Sequence, residues 1–147
     1  MTLPVFVVDT NVVIAGLITN SSDSPVAAIL DAMLSGSLLY LLSPALLREY
    51  RGVLLRPRLV RLHGLSEAEV DQFLVELTAN AVWREPAAAP FAPDRGDDHL
   101  WALLDAHDGS ILITGDRLLQ NNPPANHPVI APASWQKQFV SGEGGTG

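Results

Sequence analysis

Residues 5–8 read Val-Phe-Val-Val and stop at Asp9. An unbroken apolar run this short is the pattern of a strand covered on both faces, and strands of that kind belong to parallel sheets. Similar runs recur at Leu38–Leu42, Ser110–Thr114 and Pro128–Ala131, with a weaker candidate at Ala81–Arg84. Helical segments stand between them. Ser24-Pro25 and Ser43-Pro44 each supply an N-cap followed by a proline at the first helical position. Val26, Ile29, Leu30, Met33 and Leu34 follow the first at helical spacing, and Gly36 stops that helix. Leu46, Leu47, Tyr50, Val53 and Leu54 follow the second, which is expected to end at Arg56-Pro57. Ser66 and Glu69 form a capping-box pattern ahead of Val70, Phe73, Leu74 and Leu77. Asp97 or Asp98 caps a helix carrying Leu100, Leu103 and Leu104, and a short helix closes the chain near Val140. Strands that alternate with helices predict an α/β fold with a mainly parallel sheet and helices on both faces, a three-layer α/β/α arrangement.

The chain of 147 residues suits one domain, expected over residues 1–140, with a flexible Gly-rich tail at 141–147. No apolar run exceeds five residues, so no transmembrane helix is expected, and Met1-Thr2-Leu3-Pro4 carries no basic region of a secretory signal. There is no cysteine, which excludes disulfides, thiol catalysis and thiolate metal sites. A cytoplasmic location, away from membranes, fits these features.

Carboxylates mark the candidate site. Asp9 follows the first strand directly and Asp116 lies two residues past the fourth. Ligands of open α/β sheets bind beyond the carboxyl ends of the strands, where strand order reverses. If the first and fourth strands are neighbours, Asp9 and Asp116 face one crevice; otherwise both are ordinary turn residues. Asp97-Asp98 starts a helix, and a cap needs only one of them. Glu49 sits at the margin of the apolar face centred on Tyr50, so its carboxylate runs along the protein body. Carboxylates gathered in one crevice repel one another unless some stay protonated or a cation joins them. Oxygen-only donors suit Mg2+ or Mn2+. Such cations orient water and stabilise charge on the attacking and leaving oxygens of a phosphodiester.

The net charge of −7 excludes nucleic-acid binding by bulk electrostatics. Five of the arginines, Arg48, Arg51, Arg56, Arg58 and Arg61, are nevertheless packed into one short stretch. They read either as a solvated helix face or as a local phosphate-contacting patch. Four histidines share no ligand-like spacing, and no Walker A loop, dinucleotide fingerprint or nucleophile elbow is present.

Four short motifs then fall in order: Val7-Val8-Asp9-Thr10-Asn11-Val12, Leu47-Arg48-Glu49-Tyr50, Asp97-Asp98-His99-Leu100 and Leu112-Ile113-Thr114-Gly115-Asp116. With them, from Val5 to about Val140, the chain resembles the PIN domain, the metal-dependent ribonuclease domain of VapC-type toxins. The Thr-Gly-Asp-Arg ending and the double Asp are most similar to a subgroup of toxin components of toxin–antitoxin systems. The resemblance implies a five-stranded sheet in the order 3-2-1-4-5. It places the family's acidic quartet, catalytic and metal-ligating, on Asp9, Glu49, Asp98 and Asp116, with Asp97 as an auxiliary ligand and Asn11 and Thr114 in support. It further implies Mg2+ or Mn2+ as cofactor, RNA as substrate, a cognate antitoxin protein and a homodimer. Arg48, Arg51 and Arg117 become candidates for contact with RNA or antitoxin. A competing reading is a catalytically weak module whose acidic groove docks a basic partner segment.

Overall fold

The computed structural model describes residues 3–87 and 92–141. The elements run β1 (Phe6–Val8), α1 (Thr10–Ile18), α2 (Pro25–Ser35), β2 (Leu41–Leu42), α3 (Pro44–Leu54), α4 (Pro57–His63), α5 (Glu67–Ala79) and β3 (Val82–Trp83). A 3-10 turn at Arg95–Asp97 leads into α6 (Asp98–Asp105), then β4 (Ile111–Ile113), α7 (Arg117–Asn121), β5 (Val129–Ile130), α8 (Pro132–Trp135) and a π-helical turn, Gln136–Ser141. The expected Gly-rich tail lies, beyond Ser141, outside the described residues.

All strand pairing is parallel. β4 lies between β1 and β5, with Val7 opposite Leu112 and Leu112 opposite Val129. β2 pairs with β3 as a separate ladder, and a single parallel bridge from Phe6 to Tyr40 links the two. Among the described residues the ladders thus form a three-stranded and a two-stranded sheet, joined at that bridge. The fold class is α/β with parallel sheets, as expected. Phe6, Val7 and Val8 are all buried although successive side chains point to opposite faces, so β1 is covered from both sides.

The helix starts are built by the capping residues that the sequence advertises. Ser24 Oγ accepts from Ala27 N at 3.2 Å, Ser43 Oγ from Leu46 N at 3.2 Å, and the Ser66–Glu69 capping box is complete. Gly36 closes α2 at φ 80°, a left-handed value that favours glycine. Two tyrosines pin the helices to the strands. Tyr40 donates its hydroxyl to the carbonyl of Leu77 in α5. Tyr50 of α3 donates to the carbonyl of Val8 at 2.5 Å, at the end of β1.

Three helices depart from the sequence expectation. α1 begins on Asp9 with no loop, and α7 begins on Asp116. Arg56-Pro57 ends α3 as expected, but Pro57 is also the first residue of α4. Among the described residues no helix is long and apolar enough to cross a membrane.

Candidate metal and phosphodiester site

The parallel pairing of β1 with β4 brings Asp9 and Asp116 to the same sheet end, the arrangement the crevice argument required. Asp9 is buried, and its two oxygens have separate duties. Oδ1 accepts from the backbone of Thr10 at 2.7 Å and caps α1. Oδ2 accepts from Thr114 Oγ1 at 2.7 Å and from Asn11 Nδ2 at 3.2 Å. Thr114 Oγ1 also accepts from the Asp116 N–H at 3.0 Å, and Asn11 Oδ1 accepts from the Gly115 N–H at 3.0 Å. Asn11 and Thr114 therefore stitch the end of β1 to the end of β4, as supports of Asp9. Burial raises the Asp9 pKa above its usual range; the Thr114 and Thr10 hydrogen bonds oppose that rise, and the Glu49 charge adds to it.

Glu49 arrives from α3, one residue before the Tyr50 hydroxyl anchor. Its Oε2 accepts from Thr10 Oγ1 at 2.8 Å and lies 3.1 Å from His99 Nε2. The His99 hydrogen bond is the main cause of a lowered Glu49 pKa, against the opposing effect of burial. His99 Nδ1 is buried and without a hydrogen-bond partner among the described residues. Thr10 is the site neighbour that sequence reasoning passed over, and His99, the one histidine near the proposed site in sequence, was given no role there. Thr10 had a signal, standing beside Asp9; His99 had only its place after the double Asp.

Asp97 and Asp98 separate. Asp98 opens α6, and its Oδ1 accepts from the backbone of Ala92 at 2.8 Å, which fastens the preceding loop. Asp97 makes no capping bond, although it occupies the cap position. Instead it lines a crevice of about 460 Å³ together with Asp9, Glu49 and Asp116. Burial first, then the charges of Asp9, Asp94, Glu49 and Asp116, push its pKa up to about 6. Of the four acids that the resemblance assigns, Asp9, Glu49 and Asp116 line this crevice, together with the auxiliary Asp97, while Asp98 bonds the preceding loop. Asp116 is half-buried and caps α7 through Leu118 N at 2.8 Å.

The arginines are dispersed. Arg51 is engaged by Asp71 at 2.8 Å and Glu67 at 2.8 Å, an ion-pair cluster between α3 and α5. Arg48 is exposed and borders a different pocket, of about 310 Å³, with His99, Glu85 and Pro86. Arg117 is exposed at the start of α7. Arg56 and Arg58, in contrast, line the acidic crevice itself.

In donor chemistry the crevice fits a hard divalent cation. Its carboxylates are all oxygen donors, and their mutual repulsion, visible in the raised Asp97, is what a cation would relieve. As they stand, no group of three or more acidic or histidine side chains among the described residues is set to hold a metal ion. Mg2+ commonly binds through one or two carboxylates and keeps its remaining waters, so a set of three is not required of such a site.

A comparison with family models matches residues 5–118 to the PIN domain. No curated protein and no solved structure matches the chain. The family match takes in β1, the crevice carboxylates and Asp116, and it spans well over half of the sequence. The chain belongs to the PIN-domain family, a family of nuclease domains.

Proposed function

We propose that the protein is a divalent-metal-dependent endoribonuclease, the toxin of a type II toxin–antitoxin pair. The observation that carries this reading is the convergence of Asp9, Glu49, Asp97 and Asp116 on one crevice, where burial and then the neighbouring charges push Asp97 up to about 6. In this reading Asp9, Glu49, Asp97 and Asp116 would hold Mg2+ or Mn2+, which would supply water activation and neutralisation of charge at the phosphodiester. Asp98 anchors the loop at Ala92 and takes no part in binding the ion. The chain's own residues prepare the site. Thr114 and Asn11 fix the Asp9 carboxylate, and Thr10 and His99 fix Glu49 in its ionised form. The toxin role carries with it a cognate antitoxin partner and a homodimer, both drawn from the family resemblance.

The test is cleavage of RNA with Mn2+, with Mg2+ and with EDTA, for the wild type and Asp9→Asn. Cleavage confined to the divalent ions and reduced about 100-fold or more in the variant is the expected result. Equal cleavage by both proteins overturns the reading.

A second reading draws on the carboxylate arrangement, in which no three ligands among the described residues are set to hold an ion as they stand. In it the acidic crevice docks a basic partner segment and catalysis is weak. A thermal shift given by a basic peptide but not by Mn2+ is the result that favours it.

A further inference from the structure

A crevice with four carboxylates, in a chain of net charge −7, repels a polyanion unless positive groups stand close by. Among the arginines of the Arg48–Arg61 stretch, the structure singles out two. Arg51 is occupied by Asp71 and Glu67, and Arg48 faces another pocket. Arg56 and Arg58 line the carboxylate crevice, are exposed, and form no ion pair within 4.0 Å among the described residues, although the Arg56 charge reaches Glu49 and helps to lower its pKa. They flank Pro57, whose ring fixes the backbone between them, so their stems leave a preset stretch of chain. Ile18 and Val53, both half-buried, give the same crevice some apolar surface, and the buried Ile14 and Leu59 complete its lining.

We propose that Arg56 and Arg58 bind backbone phosphates of the RNA strand that flank the bond lying among the crevice carboxylates. They supply affinity and register, not chemistry. A guanidinium meets phosphate oxygens with paired N–H donors, and bases of a single strand gain from lying on apolar surface. Two cations beside an acidic pocket and an apolar wall match a single strand, which presents both regularly spaced charge and flat apolar bases. An acidic protein segment can offer charge and apolar groups as well, but at no fixed spacing, and it brings no phosphodiester to the crevice carboxylates. The assignment rests on the ribonuclease reading for the identity of the ligand.

The experiment measures binding of a short labelled single-stranded RNA in EDTA, across about 50 to 200 mM salt. Wild type, Arg56→Gln/Arg58→Gln and Arg61→Gln are compared. Arg61 is exposed and does not line the crevice. Loss of two phosphate contacts is expected to reduce the slope of log affinity against log salt by about 1.4, at ~0.7 per contact for single strands. The Arg61→Gln slope is expected to stay at the wild-type value. With Mn2+, the double variant is expected to show KM raised about tenfold with kcat near wild type, since its loss is in uniform binding. Equal slopes for wild type and double variant, an equal loss in Arg61→Gln, or no measurable RNA binding by the wild type overturns the assignment. So does an acidic peptide whose binding, unlike that of RNA, depends on the two arginines. RNA bound with the expected slopes but left uncut with Mn2+ overturns the ribonuclease reading and leaves this assignment standing. Cutting with unchanged slopes does the reverse.

Discussion

Asp97 and Asp98 are adjacent in sequence and differ in what their carboxylates do. Near a helix start, successive residues point about 100° apart, so spacing alone gives one of them to the crevice without saying which. The choice is made by the Ala92 N–H, which takes Asp98 and leaves Asp97 to face the other acids. That contact joins residues six apart across Pro93 and the 3-10 turn, and no periodicity encodes it. The two residues are therefore expected to respond differently to substitution. Burial and neighbouring charge disfavour the ionised form of Asp97, so its folded value of about 6 lies above the ordinary 3.8. The stability this lends is complete below pH 3.8 and is lost as pH rises through about 6. Metal-free protein is expected to melt at lower temperature near pH ~7.5 than near pH ~5. Asp97→Asn is expected to melt above wild type near pH ~7.5 while losing cleavage, because it removes an ionisation that the fold resists. Asp98→Ala is expected to retain most of the cleavage and to lose about 1 kcal/mol of stability with its loop contact. Thermal scans over pH and an RNA cleavage assay check both.

At the scale of elements, the legible helices were those with a polar side. α2, α3 and α5 carry caps and an apolar stripe, and each was readable from its first residues. α1 was not, because Thr10, Val12, Val13 and Ile14 are all buried and the helix has almost no polar face to reveal a period. It also packs tightly against α2: a Cβ on Gly16 would stand 2.6 Å from the Val26 carbonyl oxygen. α4 was hidden because a proline that ends one helix can open the next. His127 shows a similar gap. It is buried, with Nδ1 2.8 Å from the Ser110 carbonyl oxygen and Nε2 3.3 Å from Asp105 Oδ1. Ser110 Oγ, though 3.3 Å from the same ring, is itself buried and bonds the Leu104 carbonyl, so this trio ties α6, β4 and the approach to β5 together. The register of α3 against β1 depends on the Tyr50 hydroxyl at the Val8 carbonyl. Tyr50→Phe leaves that buried acceptor short of a partner and is expected to lower unfolding stability by about 1–3 kcal/mol in urea titrations. Because Glu49 is the neighbouring residue, cleavage is expected to fall with it.

Across the whole molecule, alternation of apolar runs with capped helices was enough to give the α/β class and the parallel pairing. The adjacency of β1 and β4 could be argued only conditionally, since strand order is a long-range property that local patterns do not contain. The division into two ladders joined at Phe6 and Tyr40 was beyond reach, because the linking contact is one bridge. The concentration of negative charge at one end of the sheet makes stability and cation concentration a linked pair. If Mn2+ binds the folded protein alone, a concentration about 100 times its Kd is expected to add ~2.7 kcal/mol. Calorimetry with and without Mn2+ checks this, and Asp9→Asn is expected to blunt the gain. Asp9 itself carries a double duty, since one of its oxygens starts α1 while the other is clasped by Thr114. Chemistry and architecture are thus inseparable at that position, whereas Asp97 holds no cap and resists ionising. In descendants that abandon catalysis, Asp97 is the acid expected to drift first, and Asp9 is expected to persist as a relic of the fold long after the activity has gone.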